Sequence, residues 1–315
     1  MLAVITITPI HWAAFILVII FFLALDLGVF HRHAHVVKFK EALAWTTVWF
    51  TLAMIFAGAL VPLRGKVAAT EFLTGYLIEL SLSMDNVFVI ALIFSYFRVP
   101  AEYQHRVLFW GILGALVMRG IMIALGAALI ATFHWILYLF GAFLVYTGIK
   151  MIFVDSEGVH PEKNPVIRLA RKFYPVCPDF EGQKFFTHWQ GKFALTPLAI
   201  VLIMVETTDL VFALDSIPAI FGITQDPFIV FTSNVFAILG LRSLYFVLAG
   251  AIQYFKYLKI GLSIVLVFIG VKMLIEYWEI KISTVLSLTI VAAILALSVV
   301  FSIIAARYEA RHANK

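Results

Sequence analysis

Cysteine and charge are what this 315-residue chain has least of. Cys177 is its one cysteine, which excludes an intramolecular disulfide framework and a cysteine-rich zinc site. Charged residues make up only 13% of the chain against 63% hydrophobic, whereas soluble domains carry roughly 25% charged residues. With a mean hydropathy of +1.03 there is too little polar surface to face water on all sides, so the chain reads as a polytopic membrane protein. Walker loops, dinucleotide fingerprints and nucleophile motifs are also missing, which argues against ATP-driven pumping and against an enzyme. The net charge of +5 is not a nucleic-acid signal here, because its meaning lies in where the positive residues fall. No Lys or Arg precedes the first apolar run and Asp26 interrupts it, so this run is expected to be a retained span and not a signal peptide.

What is present is a series of long apolar runs. A helix needs about 20 residues to cross the hydrocarbon core. Runs of that size lie near 9–30, 42–63, 71–97, 107–131, 134–154, 194–222, 228–250, 258–278 and 283–306. The fold class expected is therefore an all-α polytopic membrane protein of about nine transmembrane helices, one transmembrane domain over 1–315. If the N-terminus is outside, the inner segments hold basic residues such as Arg32, Lys38, Arg98, Arg106, Lys163, Arg168, Arg171, Lys172, Lys256 and Arg307. The outer segments then hold only Arg64, Lys66 and Lys281. The positive-inside rule then puts the N-terminus out and the C-terminus in.

The two halves resemble each other. Asp85, Arg119 and Lys150 are spaced much as Asp209, Arg242 and Lys272 are. Phe143-Leu-Val-Tyr-Thr-Gly-Ile-Lys-Met151 also matches Val265-Leu-Val-Phe-Ile-Gly-Val-Lys-Met273. Each unit is three spans long, so the second copy is expected upside down relative to the first, an arrangement common in transporters. The predicted organisation is repeat 1 over 71–154, a cytoplasmic loop over 155–192 and repeat 2 over 194–278.

Within the spans, Glu79, Asp85, Asn86, Glu206, Asp209 and Asp215 place polar oxygens in mid-membrane. A carboxylate there costs several kcal/mol unless it is protonated, paired or bound to a cation. Glu206 and Asp209, three apart, share a helix face. Asp215 would point elsewhere on a regular helix, but Pro218 is expected to break the helix and free the carbonyl of Leu214 beside Asp215 as a cation ligand. The donors are all oxygen, with hydroxyls on Ser81, Ser83, Thr207, Thr208 and Ser216, a set that suits a hard divalent cation such as Mn²⁺, Mg²⁺ or Ca²⁺. Arg119 and Arg242 are the matched intramembrane cations, either counter-charges that exchange partners as metal or protons arrive, or structural pairs fixing the repeats. The alternative to an ion site is a proline-kinked helix whose carboxylates pair with Arg119, Arg242 or Lys272. Lys150 and Lys272 read as snorkelling span ends. His31, His33 and His35 read as a juxtamembrane anchor, and Pro165–Tyr174 alternates basic and apolar groups as an interfacial helix does. His160, Cys177 and His188 lack zinc-site spacing.

The stretches Leu73–Glu79, Asp85–Phe88, Val205–Ala219, Asp226–Arg242 and Gly270–Met273 together resemble the TerC family of bacterial membrane proteins, most closely its Alx-type branch. The resemblance covers roughly 10–305. It implies manganese homeostasis and Mn²⁺ export across the bacterial inner membrane, with Asp85, Asp209, Asp215, Glu79, Asn86 and Glu206 on the metal pathway. Mn²⁺ would be the transported substrate, with no tightly bound cofactor and with the lipid bilayer as the other partner. The chain departs from the family pattern at Leu80–Met84, where a basic residue would follow Glu79 and no methionine would precede Asp85; this bears on ion preference. A non-transporting membrane scaffold and an exporter of a small organic cation or amino acid remain the rival expectations.

Overall fold

In a bilayer, long apolar runs can satisfy their backbone polar groups as helices, and the computed structural model places helices on them. It describes residues 7–25, 39–153, 162, 164–248 and 258–313. Eight helices are long and apolar enough to span: α2 (Phe39–Arg64), α3 (Lys66–Tyr96), α4 (Ala101–Thr132), α5 (Ile136–Phe153), α7 (Pro197–Phe221), α8 (Pro227–Leu248), α9 (Leu258–Ile275) and α10 (Thr284–Ala313). The expected first span appears as α1 (Pro9–Leu25), apolar but only 17 residues long. Asp26, His31, Arg32, His33, His35, Lys38, His160, Lys163 and Lys256 lie outside the described residues.

The segment expected as a loop over 155–192 is partly structured. Asn164 caps α6 (Pro165–Phe173), its Oδ1 accepting from the amides of Val166 at 2.9 Å and Ile167 at 3.2 Å, and Pro165 supplies a first helical residue that needs no N–H. Strands β1 (Phe186–Trp189) and β2 (Lys192–Leu195) then pair antiparallel. Their two-residue turn puts Gln190 at φ 51° and Gly191 at φ 75°, the left-handed geometry that matches strand twist. The hairpin delays the sixth span, so α7 starts at Pro197 instead of 194.

α3 packs against α7 and α8, α4 against the same two, and α5 against α9. Three glycines allow α5 and α9 to touch backbone to backbone. A methyl on Gly148 would lie 2.8 Å from the Ser263 carbonyl oxygen, and one on Gly270 would lie 2.6 Å from the Gly141 carbonyl oxygen. As one helix is followed from 141 to 148, its partner runs from 270 back to 263, so the pair is antiparallel. When Phe143–Met151 is aligned with Val265–Met273, Gly148 corresponds to Gly270 and Gly141 to Ser263. The two close approaches are therefore reciprocal. The α3–α8 and α4–α7 contacts exchange in the same way.

At one end of the bundle, Arg64 pairs with Asp226 at 2.7 Å and the Thr224 hydroxyl donates to Glu71 at 2.8 Å. These contacts tie the α2–α3 junction to the α7–α8 turn. At the other end, the α3–α4 turn meets α6 and the hairpin, where Ile167 is fully buried among Leu195, Ala199 and Ile200. Aromatic rings seat α1 against α8, with Trp12 edge-on to Phe228 at 5.3 Å.

Candidate functional site

Helical phase decides which of the six candidate residues meet. Glu79, Ser83 and Asn86 stand at i, i+4 and i+7 on one face of α3, and all three are buried. Facing them are Arg119 of α4 and Asp209 in the middle of α7, both buried. Arg119 grips Asp209 with a fork, Nε to Oδ2 at 3.1 Å and Nη2 to Oδ1 at 2.8 Å, the bidentate geometry in which guanidinium–carboxylate pairs are strongest. Its Nη1 pairs with Glu79 and reaches Ser216 Oγ at 3.2 Å. Asn86 Nδ2 donates to Asp209 Oδ1 at 3.1 Å.

Asp85 and Asp215 point away from this cluster. Asp85 precedes Asn86 by one residue and so faces elsewhere on α3, its nearest opposing charge being Lys259 of α9. Asp215 follows Asp209 by six residues and turns to α5, accepting a hydrogen bond from Thr147 near Lys150. α7 continues through Pro218 to Phe221. The proline thus falls in the last turn and does not swing Asp215 into the cluster. Glu206 shares the Asp209 face, as its spacing predicts, and feels that charge. Arg242 lines two small cavities, of about 30 and 20 Å³. Asn86 and Asp209 line the smaller one, which is roomy enough for about one water. Ile90, Leu108 and Val205 carry its wall towards the α3–α4 end. Among the described residues, no group of three or more His, Cys, Asp or Glu side chains is close enough to hold a metal ion.

Two further features of the cluster bear on what it could bind. One guanidinium between two carboxylates leaves, with all three ionised, one negative charge over in a low-dielectric interior. In addition, Glu79 Oε2, Ser83 Oγ and Asn86 Oδ1 are buried without a hydrogen-bond partner, and an orphaned buried acceptor costs about 1–3 kcal/mol. All three belong to the same face of α3. Hard oxygen donors on one face beside uncompensated negative charge are what a divalent cation with oxygen ligands requires.

Gly114 was not singled out in the sequence, yet it seats Glu206: a methyl group there would occupy the space of the Glu206 carboxylate. Nothing in a single glycine of an apolar span signals this. Gly114→Ala is expected to push aside the flexible end of Glu206 and to lower stability by no more than about 1 kcal/mol. Gly111→Ala, which would only press on Val205 at 3.3 Å, is expected to cost less. Thermal melting of the two purified variants checks the order.

Compared with known proteins, residues 64–313 match the family described as integral membrane protein TerC. The chain is 54% identical over 301 residues to an uncharacterized membrane protein of Myxococcus xanthus, covering 96% of this chain and 94% of the relative. It is 47% identical over 305 residues to a protein of Escherichia coli K12 described as a proposed membrane-bound redox modulator, Alx, with 94% of each chain covered. A protein of Photorhabdus laumondii with the same description is 44% identical over 313 residues, covering 96% of this chain and 97% of the relative. No solved structure matches the chain.

Proposed function

The chain belongs to the TerC family of integral membrane proteins, and from that membership we propose that it is an inner-membrane secondary transporter exporting Mn²⁺ from the cytoplasm. The observation that carries this reading is the row of partnerless buried oxygens on α3, Glu79 Oε2, Ser83 Oγ and Asn86 Oδ1, beside Asp209. Mn²⁺ is the cargo that the family resemblance implies, and the oxygen donors suit it.

In this reading Arg119 holds the place of the cation. Arriving metal takes Asp209 and the free oxygens of α3, and Arg119 must give up its fork for that to happen. The reciprocal α5–α9 contacts support an inverted-repeat relation between the halves, under which Asp85 and Arg242 are the counterparts of Asp209 and Arg119. Among the described residues Arg119 and Asp209 form an ion pair, whereas the charge acting on Asp85 is that of Lys259. The opposite-facing state would exchange these roles, closing Arg242 on Asp85 while Arg119 lets go of Asp209. The Arg64–Asp226 and Glu71–Thr224 ties would then open at the outer end, with the N-terminus placed outside on the positive-inside reading of the basic residues. Protons are the simplest counter-ion, because vacated carboxylates in a dry interior favour protonation.

The test is uptake of radioactive Mn²⁺ into inside-out membrane vesicles, with variants compared at equal expression. Wild type is expected to accumulate the ion faster under an acid-inside gradient. Asp209→Asn and Asp85→Asn are each expected to fall at least about tenfold, roughly what losing 1.4 kcal/mol or more of cation binding would do. Absence of wild-type uptake under every gradient would sink direct export and leave a non-transporting scaffold, in which the intramembrane charges bind partner subunits. The relatives' description as redox modulators concerns those proteins. In this chain Cys177 is buried and, as the only cysteine, has no partner for an internal disulfide.

A further inference from the structure

Outside the transport cluster, α6 carries a surface that the transport reading does not use. Its side chains divide into three sectors. Ile167 and Ala170 face α7 and the hairpin. Val166, Leu169 and Phe173, at i, i+3 and i+7, form an apolar stripe exposed by 44%, 56% and 68%. Arg168, Arg171 and Lys172 fill the third sector. A helix in bulk water gains nothing from such a stripe, whereas one lying in a bilayer interface buries the stripe in lipid and turns the cations to the headgroups.

The packing puts α6 at that depth. Asn164 Nδ2 donates to Thr207 Oγ1 at 2.7 Å, and Thr207 is ten residues past Pro197, or about 15 Å along α7 at 1.5 Å per residue. α6 therefore lies beside an apolar span and not beyond its end. Where α6 meets the end of α3, a cavity of about 450 Å³ opens among Phe97, Arg171, Tyr174 and Pro197. It presents the Arg171 guanidinium and Tyr174 beside Phe97, Val176, Pro197 and Ile200, which fits a phosphate headgroup with its first acyl carbons below.

We propose that α6 and this cavity form a binding site for an anionic phospholipid of the leaflet on that side, with Arg171 on the phosphate, Phe97, Val176 and Pro197 beneath the first acyl carbons, and the Leu169–Phe173 stripe on the other side of α6 seating the helix in the surrounding lipid. The site is linked to the transport cluster through α7. The Asn164–Thr207 bond holds α6 to α7 two residues before Asp209.

Native mass spectrometry tests this on the full-length protein released from micelles containing equal phosphatidylglycerol and phosphatidylcholine. Wild type is expected to retain phosphatidylglycerol in preference by about fivefold for each engaged basic residue. Arg168→Gln/Arg171→Gln/Lys172→Gln is expected to lose the preference, and Leu169→Ser/Phe173→Ser to weaken retention of both lipids. Both variants leave Ile167 in place, so α6 stays seated, and elution volume reports that. Lys66→Gln, at the other end of the bundle, is expected to change nothing. Equal retention of the two lipids by wild type, or an unaltered preference in the triple variant, would overturn the proposal. Release of the bound lipid by soluble glycerol 3-phosphate would also overturn it, since the site would then be one for free phosphate esters.

Discussion

Arg119→Ala is expected to cost the folded protein about 3–5 kcal/mol, because removing one partner of a buried ion pair strands the other. Here two carboxylates are stranded at once. Glu79 is fully buried and Asp209 nearly so, and neither gains another cation among the contacts of the cluster. The purified variant should melt far below wild type, or fail to accumulate. Arg119→Lys keeps the charge but not the fork to Asp209, since an ammonium cannot reproduce two parallel N–H bonds, and is expected to fall between the two. Adding Glu79→Gln and Asp209→Asn to Arg119→Ala should recover much of the loss, because amides tolerate burial better than unpaired carboxylates do. An Arg119→Ala protein that melts with wild type would show that the carboxylates are already neutral or hydrated, and the cluster would then not be poised for a cation.

The second large effect is expected between α5 and α9. Gly270→Ala puts a methyl 2.6 Å from the Gly141 carbonyl oxygen and 2.9 Å from the Val145 amide nitrogen. Both are backbone atoms, so relief requires the helices to move apart. Overpacking of this kind costs about 1–3 kcal/mol and sometimes more. Gly148→Ala meets the Ser263 carbonyl at 2.8 Å and is expected to behave alike. Gly58 of α2 has nothing within 4 Å of an added methyl, so Gly58→Ala should stabilise by about 0.5–1 kcal/mol through helix propensity. Melting curves of the three variants would thus show one substitution type with opposite signs. If Gly58→Ala and Gly270→Ala matched, the α5–α9 approach would be looser than described.

Much of this was readable in the chain. The apolar runs named the spans, because a bilayer accepts backbone there only with its bonds made internally. The isolated charges named Glu79, Asp209 and Arg119, because nothing but pairing or binding keeps them at that depth. Rotation about the helix axes was harder to read. A spacing of six residues carried both Asp85 relative to Glu79 and Asp215 relative to Asp209 to other faces, and a sequence-level list of mid-membrane oxygens does not register that. Which neighbour each carboxylate would meet was equally hidden, since Thr147 and Gly114 lie in other helices at no fixed spacing. The hairpin did have a signal, Gln190-Gly191 between two short runs containing Phe, Trp and Leu, but the polarity of its surroundings masked it.

Arg119 also has a consequence for how such a site would respond to concentration. A side chain that occupies the carboxylates competes with the cargo at a local concentration that never changes. The apparent affinity is then the intrinsic affinity multiplied by the fraction of time Arg119 stands aside. A strong internal competitor therefore sets a threshold. Under the proposed export, the protein would stay self-occupied below it and spare the cell's working supply of metal; above it surplus ion would win the contest and leave. Tuning the hold of one guanidinium would reset that threshold without altering a single ligand.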